Sequence, residues 1–425
     1  MPRFRWFGTA LAAALLVGCS KEERREPAQT AAPSPPVTAP AKPKAAGAGT
    51  FAAGDVAHGK KLVEEFECSR CHDGTGVASA PPEKHCIRCH QDILSAKFKA
   101  PAAALAKWRP NVAKLRDVPA LTSIGKRLRP EWIMRFLLEP HDLRPNLVQN
   151  MPRLKLTDEQ ARDIVSYLTD GQRAPVVAPK IEAGDASTGR ELFESKGCGT
   201  CHQVGGAGTL ATTPKPGEGS DDQKRAVTLA PDLRFARERV RRDRIVEWIM
   251  DPKAMKPDTL MTPSPLTARE AQSIAAFILF ADLDEVKRPP MPARLPVLKR
   301  KVSFDEVNEK VFMRTCRHCH GDADALLGDG GPGNTGGFGF KPRGINFSHH
   351  RGIMSGRIND AGERESLFMP LKDGTPRLVA ALMARHSEQA GTPNPEVRGM
   401  PLSLPALPVE DIQLVESWVA QGRPP

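Results

Sequence analysis

Eight of the nine cysteines in this chain stand in pairs with two residues between them, and each pair is followed at once by histidine. They read Cys68-Ser-Arg-Cys71-His72, Cys86-Ile-Arg-Cys89-His90, Cys198-Gly-Thr-Cys201-His202 and Cys316-Arg-His-Cys319-His320. Two thiols at that spacing can add across the vinyl groups of a haem, and the imidazole that follows then lies under the iron as its axial ligand. Thioredoxin-like redox pairs and zinc half-sites also use a CxxC, but neither needs a histidine directly after the second cysteine. Every CxxC here has one. The spacing therefore predicts four covalently bound haem c groups, with His72, His90, His202 and His320 on the irons.

The ninth cysteine is Cys19. Arg3 and Arg5 precede an apolar run from Trp6 to Val17. A basic start, a short apolar core and a small residue at the end predict a secretory signal over 1–18 rather than a spanning helix. Leu16-Val17-Gly18-Cys19 resembles the lipobox of bacterial lipoproteins. That resemblance implies lipidation of Cys19 as the first mature residue, and an exported protein anchored to a bacterial membrane and facing the periplasm. Ser20, where an Asp would retain the protein at the inner membrane, favours the outer one. Residues 19–50 then form the lipidated end and an Ala/Pro-rich tether, which buries no core and stays extended. No other stretch is long and apolar enough to cross a bilayer.

Formal net charge is +11, and losing Arg3 and Arg5 with the signal leaves +9. Four haems would add about −8 through their propionates and nearly cancel it. No basic patch interleaves with aromatics, and the chain has a single tyrosine, so no nucleic-acid partner is expected.

An internal repeat shows what must position these groups. Ala53-Gly54-Asp55 and Ala183-Gly184-Asp185 each open a twenty-residue segment that ends at His72 or His202. Gly59 matches Gly189, and Val63 matches Phe193. Downstream, Glu139-Pro140 parallels Asp251-Pro252. Thr157-Asp-Glu-Gln160 and Thr267-Ala-Arg-Glu270 are capping boxes that open a last amphipathic helix. Tyr167 and Phe277 share a place on it, opposite the glycine of the first helix, as a tight helix crossing requires.

This pattern resembles the class I cytochrome c fold. The resemblance implies an all-α protein of three tandem cytochrome c-like domains, the first with an inserted extra haem-binding segment. Their expected bounds are 51–171 (two haems), 183–283 and 302–425. The third follows a Pro-rich linker around 284–301, with Phe304 to Thr315 read as its first helix. In that family a late methionine supplies the sixth iron ligand. The matching residues are Met151, Met261 and Met400, at 79, 59 and 80 residues past His72, His202 and His320. Met261 departs from the pattern, since Thr262 separates it from Pro263. Met354 and Met369 are alternatives to Met400. The Gly-rich run from Gly328 lacks the Gly-Lys-Ser/Thr ending of a phosphate loop and reads as a flexible loop.

Only thirteen residues separate His72 from Cys86. Cys86–His90 therefore sits in an insertion, about 74–115, too close for a separate domain. The repeat offers this haem no methionine. His58 and His141 are the local candidates for its sixth ligand, and His85 is a neighbour poorly placed for its own iron. His349, His350 and His386 read as structural or exposed.

Iron held by His and Met on both sides has no open position, and methionine raises its potential. The resemblance thus implies a multihaem electron-transfer protein that exchanges electrons with redox partners such as a cytochrome or a respiratory complex subunit. No catalytic residue is expected. The alternative is a haem enzyme, peroxidase-like or reducing a small oxidant, with the Cys86–His90 haem as an open site.

Overall fold

The computed structural model describes residues 51–425 except 142, 148–150, 284–287 and 323–330. The signal, Cys19 and the tether lie outside the described residues. Helix makes up 47 % of the described residues and strand 3 %, so the fold is all-α.

The first unit carries α1 (Val56–Glu65), α2 (Cys86–Leu94), α3 (Ala102–Val112), α4 (Ile124–Arg127), α5 (Pro130–Leu138) and α6 (Asp158–Leu168). The second carries α7 (Ala186–Ser195), α8 (Asp221–Leu229), α9 (Ala236–Arg239), α10 (Ile245–Met250), α11 (Pro252–Met255) and α12 (Ala268–Phe280). The third has α13 (Phe304–Val307), α14 (Pro332–Thr335), α15 (His350–Met354), α16 (Arg377–Ala390) and α17 (Val409–Ala420). A two-residue hairpin of β1 (Arg357–Ile358) and β2 (Arg364–Glu365) joins them. α2 and α3 are the inserted segment.

In units one and two the first helix crosses the last at a glycine. A Cβ on Gly59 would drive into the Asp163 carbonyl and lie 2.9 Å from the Tyr167 Cβ; one on Gly189 would strike the Ser273 carbonyl and lie 3.0 Å from the Phe277 Cβ. Both last helices open with the full capping box, at Thr157/Gln160 and Thr267/Glu270. Val63 and Phe193, one turn after each glycine, are fully buried. The third unit solves the same crossing with bulk. α13 continues as a wider π-turned helix, Asn308–Cys316, and Phe312 meets Trp418 of α17 at 5.8 Å between ring centres.

Units one and two meet through equivalent residues. Arg129 N donates to Arg239 O at 2.9 Å and Arg241 N donates to Arg127 O at 3.0 Å, with Leu128 opposite Val240. Nine residues separate Arg127-Leu128-Arg129 from Glu139-Pro140, and nine separate Arg239-Val240-Arg241 from Asp251-Pro252. The same tripeptide of each unit therefore pairs antiparallel with its counterpart, which relates the units by an approximate two-fold. The Arg241 guanidinium spans the joint, donating to the carbonyls of Gly125 (3.1 Å), Gln172 (2.9 Å) and Ala174 (2.8 Å). Arg225 pairs with Asp117 at 2.6 Å.

The third unit docks on the first through the Gly-rich segment. Residues 328–330 of the run expected to be a flexible loop lie outside the described residues, and from 331 on it makes defined contacts. Phe338 joins the core of unit one, its N–H donates to Glu67 Oε2 at 3.1 Å, and Gly339 lies on the Phe66 ring. The described part of the Pro-rich linker is likewise a strap on unit three. Leu298 N donates to Ser417 Oγ (2.9 Å), and Val302 N donates to Gln421 Oε1 (2.9 Å). Arg294 pairs with Glu416.

The crossing gives a direct test. Gly189→Ala should lower unfolding stability by about 1–3 kcal/mol through overpacking. Gly184→Ala, with nothing within 4 Å of an added Cβ, should stay within about 0.5 kcal/mol. Denaturant titration of the holoprotein checks both.

Candidate haem sites

Each CxxCH segment is a single closed turn. The histidine N–H donates to the carbonyl of the first cysteine in three of them: His72 to Cys68 (2.9 Å), His202 to Cys198 (3.0 Å) and His320 to Cys316 (3.0 Å). This turn gathers two thiols and an imidazole. In units one and two it is entered through a left-handed residue, Glu67 (φ 49°) or Gly197 (φ 75°). The Cys86–His90 segment is instead the start of α2, capped by His85 Nδ1, which accepts from Arg88 N at 3.3 Å.

The imidazoles are held by the chain. Nδ1–H donates to a backbone carbonyl in three cases: His72 to Pro119 (2.9 Å), His90 to Leu115 (2.7 Å) and His202 to Pro231 (2.9 Å). That bond fixes the ring and leaves Nε2 bare, as a metal-binding histidine requires. Burial pushes the pKa of His72 and His202 down, and those of His90 and His320 to about 4. All four are therefore neutral, the form that binds metal. Nδ1 of His320 is buried without a hydrogen-bond partner of good geometry, and the Gly333 backbone presses on its ring.

The expected methionines fall as follows. Met151 shares the unit-one core with Cys68, and Met400 shares the unit-three core with Cys316. Met261 is half-buried, and its N–H donates to Thr259 Oγ1 at 3.2 Å. Met354 and Met369 lie exposed at the surface.

The spare histidines have other neighbours. His58 Nδ1 meets Asp163 Oδ2 at 2.7 Å, beside the helix crossing. His141 bonds the Glu139 carbonyl and sits between Phe136 (5.5 Å) and Phe235 (5.8 Å). His85 is buried, with Nε2 3.7 Å from Asp73. His349 caps α15, His350 bonds the Arg423 carbonyl and His386 the Leu407 carbonyl. The ring that His90 meets is His318, 5.9 Å away between centres. His318 is a middle residue of the fourth CxxCH, a place where sequence reading sees only spacer.

Three of the four attachment segments converge. The Cys71 and Cys86 thiols act on one another, which lifts the pKa of the first above its ordinary value and lowers that of the second to about 7. Arg70, between Cys68 and Cys71, is 5 % exposed. Its Nε donates to Lys84 O at 3.1 Å, its Nη1 to Glu67 at 3.1 Å, and its guanidinium lies 5.3 Å from the Phe338 ring. It also acts on Cys86 and on His318. At the two-fold joint, Arg127, Arg144 and Arg239 gather. Burial first, then the cations Arg144 and Arg127, push the Arg239 pKa down to about 10. Its Nε has no hydrogen-bond partner among the described residues. Buried cations require anions, and haem propionates are anions of the right kind. The site residues thus fit haem: thiols to attach it, oriented imidazoles to bind iron, methionines in two of the same cores, and arginines for its carboxylates. Haem held there supplies a one-electron couple, while the protein supplies orientation and tuning.

An all-helical unit that closes a CxxCH turn beneath a glycine crossing defines a c-type haem protein. The cytochrome c family model matches residues 56–172 and 186–281, and the chain belongs to that family. Membership implies covalently bound haem c and haem-based electron transfer. No curated protein and no solved structure matches the chain. The arginine cluster was missed from sequence, although Arg127-Leu-Arg129 and Arg239-Val-Arg241 stand at matching places in the repeat.

A cation beside a haem favours its reduced form. Arg239→Leu should therefore lower one midpoint potential, by about 40 mV for each kcal/mol of attraction lost. A spectroelectrochemical titration against the parent protein measures it.

Proposed function

We propose that the protein is a tetrahaem electron carrier, tethered by a lipid on Cys19 and working in the periplasm between a respiratory donor and an acceptor. The observation that carries this is the hydrogen bond from Arg70 Nε, inside the first CxxCH, to the Lys84 carbonyl at 3.1 Å, two residues before Cys86, which holds the first two CxxCH segments side by side. Two haems attached through neighbouring sulfurs would lie edge to edge, close enough for rapid electron exchange. The paired tripeptides hold the second unit against the first, where its haem would extend the row. Such a row suits transfer between partners better than storage or bond chemistry. Its partners are redox proteins, a soluble cytochrome or a subunit of a respiratory complex. The Ala/Pro tether, about 3 Å per residue when extended, would let the haem-bearing part reach them. Ser20 after Cys19 supports the outer membrane as its address.

Three measurements test this. The intact mass should exceed that of the mature apo chain by four haems, and three or fewer would leave one CxxCH unused. Cys19→Ser should free the protein from membranes with its haem content intact; a variant that still sediments with membranes would point to a protein partner instead. Potentiometry of the full chain should show the haems at Cys68 and Cys86 titrating interactively, so that reducing one makes the other harder to reduce. Independent waves for these two would remove the edge-to-edge arrangement.

A further inference from the structure

We propose that His318 is the sixth ligand of the iron held by His90, so that the third unit completes a haem site of the first. This rests on the reading that Cys86 and Cys89 carry a haem.

His90 is 5 % exposed, and its Nδ1 is committed to the Leu115 carbonyl. Only Nε2 is left for iron. The ring that meets His90 is His318, at 5.9 Å between centres and a 46° tilt. Two imidazoles on one metal, each bonded at about 2 Å with the ring centre about 1 Å behind the nitrogen, stand about 6 Å apart between centres. Any tilt about the shared axis is compatible with that arrangement. Neither ring nitrogen of His318 makes a hydrogen bond among the described residues, so no partner fixes its tautomer and the bare nitrogen of the neutral ring is available to donate its electron pair.

The placement is built, not incidental. Gly331 lies on the backbone of His318 and Cys319, where a Cβ would come within 2.7 Å of the His318 carbonyl. The same segment then carries Phe338 into the unit-one core, against Arg70. Arg70 in turn holds the Lys84 carbonyl, two residues before Cys86. One docked loop thus sets the fourth CxxCH against the second. The other candidates face elsewhere: His58 on Asp163, His141 between Phe136 and Phe235, and His85 as the cap of α2 with its Nε2 toward Asp73.

A bis-imidazole iron has no open position, and without methionine it sits lower in potential than its neighbours. His318 also hangs between Cys316 and Cys319. The ligand of one iron would therefore be joined by a few covalent bonds to the sulfurs that attach another haem. This makes the row of haems continuous from the third unit through the first to the second.

Low-temperature EPR and near-infrared magnetic circular dichroism of the oxidised full-length holoprotein count the axial pairs. The expected result is one bis-imidazole iron and no high-spin iron; no bis-imidazole iron would overturn the proposal. In His318→Ala, with four haems verified by mass, one iron should turn high-spin, bind added cyanide, and return to low-spin with added imidazole. His318→Met should exchange the bis-imidazole signature for one more methionine-to-iron charge-transfer band. If His318→Ala loses the haem at Cys316, His318→Met and His85→Ala decide: loss of the bis-imidazole signature only in the first supports the proposal, and its loss in His85→Ala refutes it. Four haems with unchanged spectra in the His318 variants refute it alone. A peptide map showing no haem on Cys86 and Cys89 refutes the tetrahaem reading, and the proposal with it.

Discussion

The guanidinium of Arg70 is held where three segments from distant parts of the chain meet. It is 5 % exposed, and a charge so placed is costly unless each donor finds a partner. Its partners are the Lys84 carbonyl, Glu67, the Cys86 thiol and the face of Phe338. They come from three stretches: the turn of the first CxxCH, the second CxxCH with its approach, and the loop that leaves the fourth. Satisfying one buried cation therefore fixes the mutual position of three attachment sites. The surrounding geometry follows, including the contact of Cys71 with Cys86 and of His90 with His318.

The second organising element is the joint between the repeated units. A pair of tripeptides at equivalent places makes two backbone hydrogen bonds across an approximate two-fold. Such self-complementary pairing arises naturally when a unit duplicates, because one edge that can bond to itself suffices for both copies. The joint also concentrates charge, since each tripeptide contributes arginines and Arg144 adds another. Arg241 resolves its share on three carbonyls. Buried Arg127 and half-buried Arg144 and Arg239 lie near one another, and enclosure first, then the charges of Arg144 and Arg127, depress the pKa of Arg239. Asp117 and Asp258 act on Arg144 and Arg127, and haem carboxylates held there would be further anions for this cluster.

The third unit keeps the plan and changes the means. Units one and two bring two helices together by removing a side chain, at Gly59 and Gly189. The third fills the crossing with Phe312 and Trp418, both fully buried, and widens its first helix to a π turn. Its Gly-rich segment and Pro-rich strap are spent on docking rather than on slack. A unit that docks by loop and strap can present its CxxCH to a neighbour, and here that neighbour is the second CxxCH.

The CxxCH turns were legible in sequence because their geometry is local: two sulfurs and an imidazole at that spacing close within one turn. Gly59, Gly189, the capping boxes and the buried Val63 and Phe193 were legible for the same reason, since helix period and end signals act over a few residues. The contact between His90 and His318 was not, nor the roles of Arg70, Arg127, Arg144 and Arg239. Those depend on which surfaces meet across hundreds of residues, and that is decided by the summed burial of loops and helix faces. A histidine inside a CxxCH looks like spacer until the fold brings another histidine 5.9 Å away. The Gly-rich segment looked loose because glycine lacks a side chain to signal a partner, yet the same lack lets its backbone lie directly on Phe66 and on the turn at Cys319. Sequence thus determined the local turns and crossings of each unit; tertiary structure decided which of them meet.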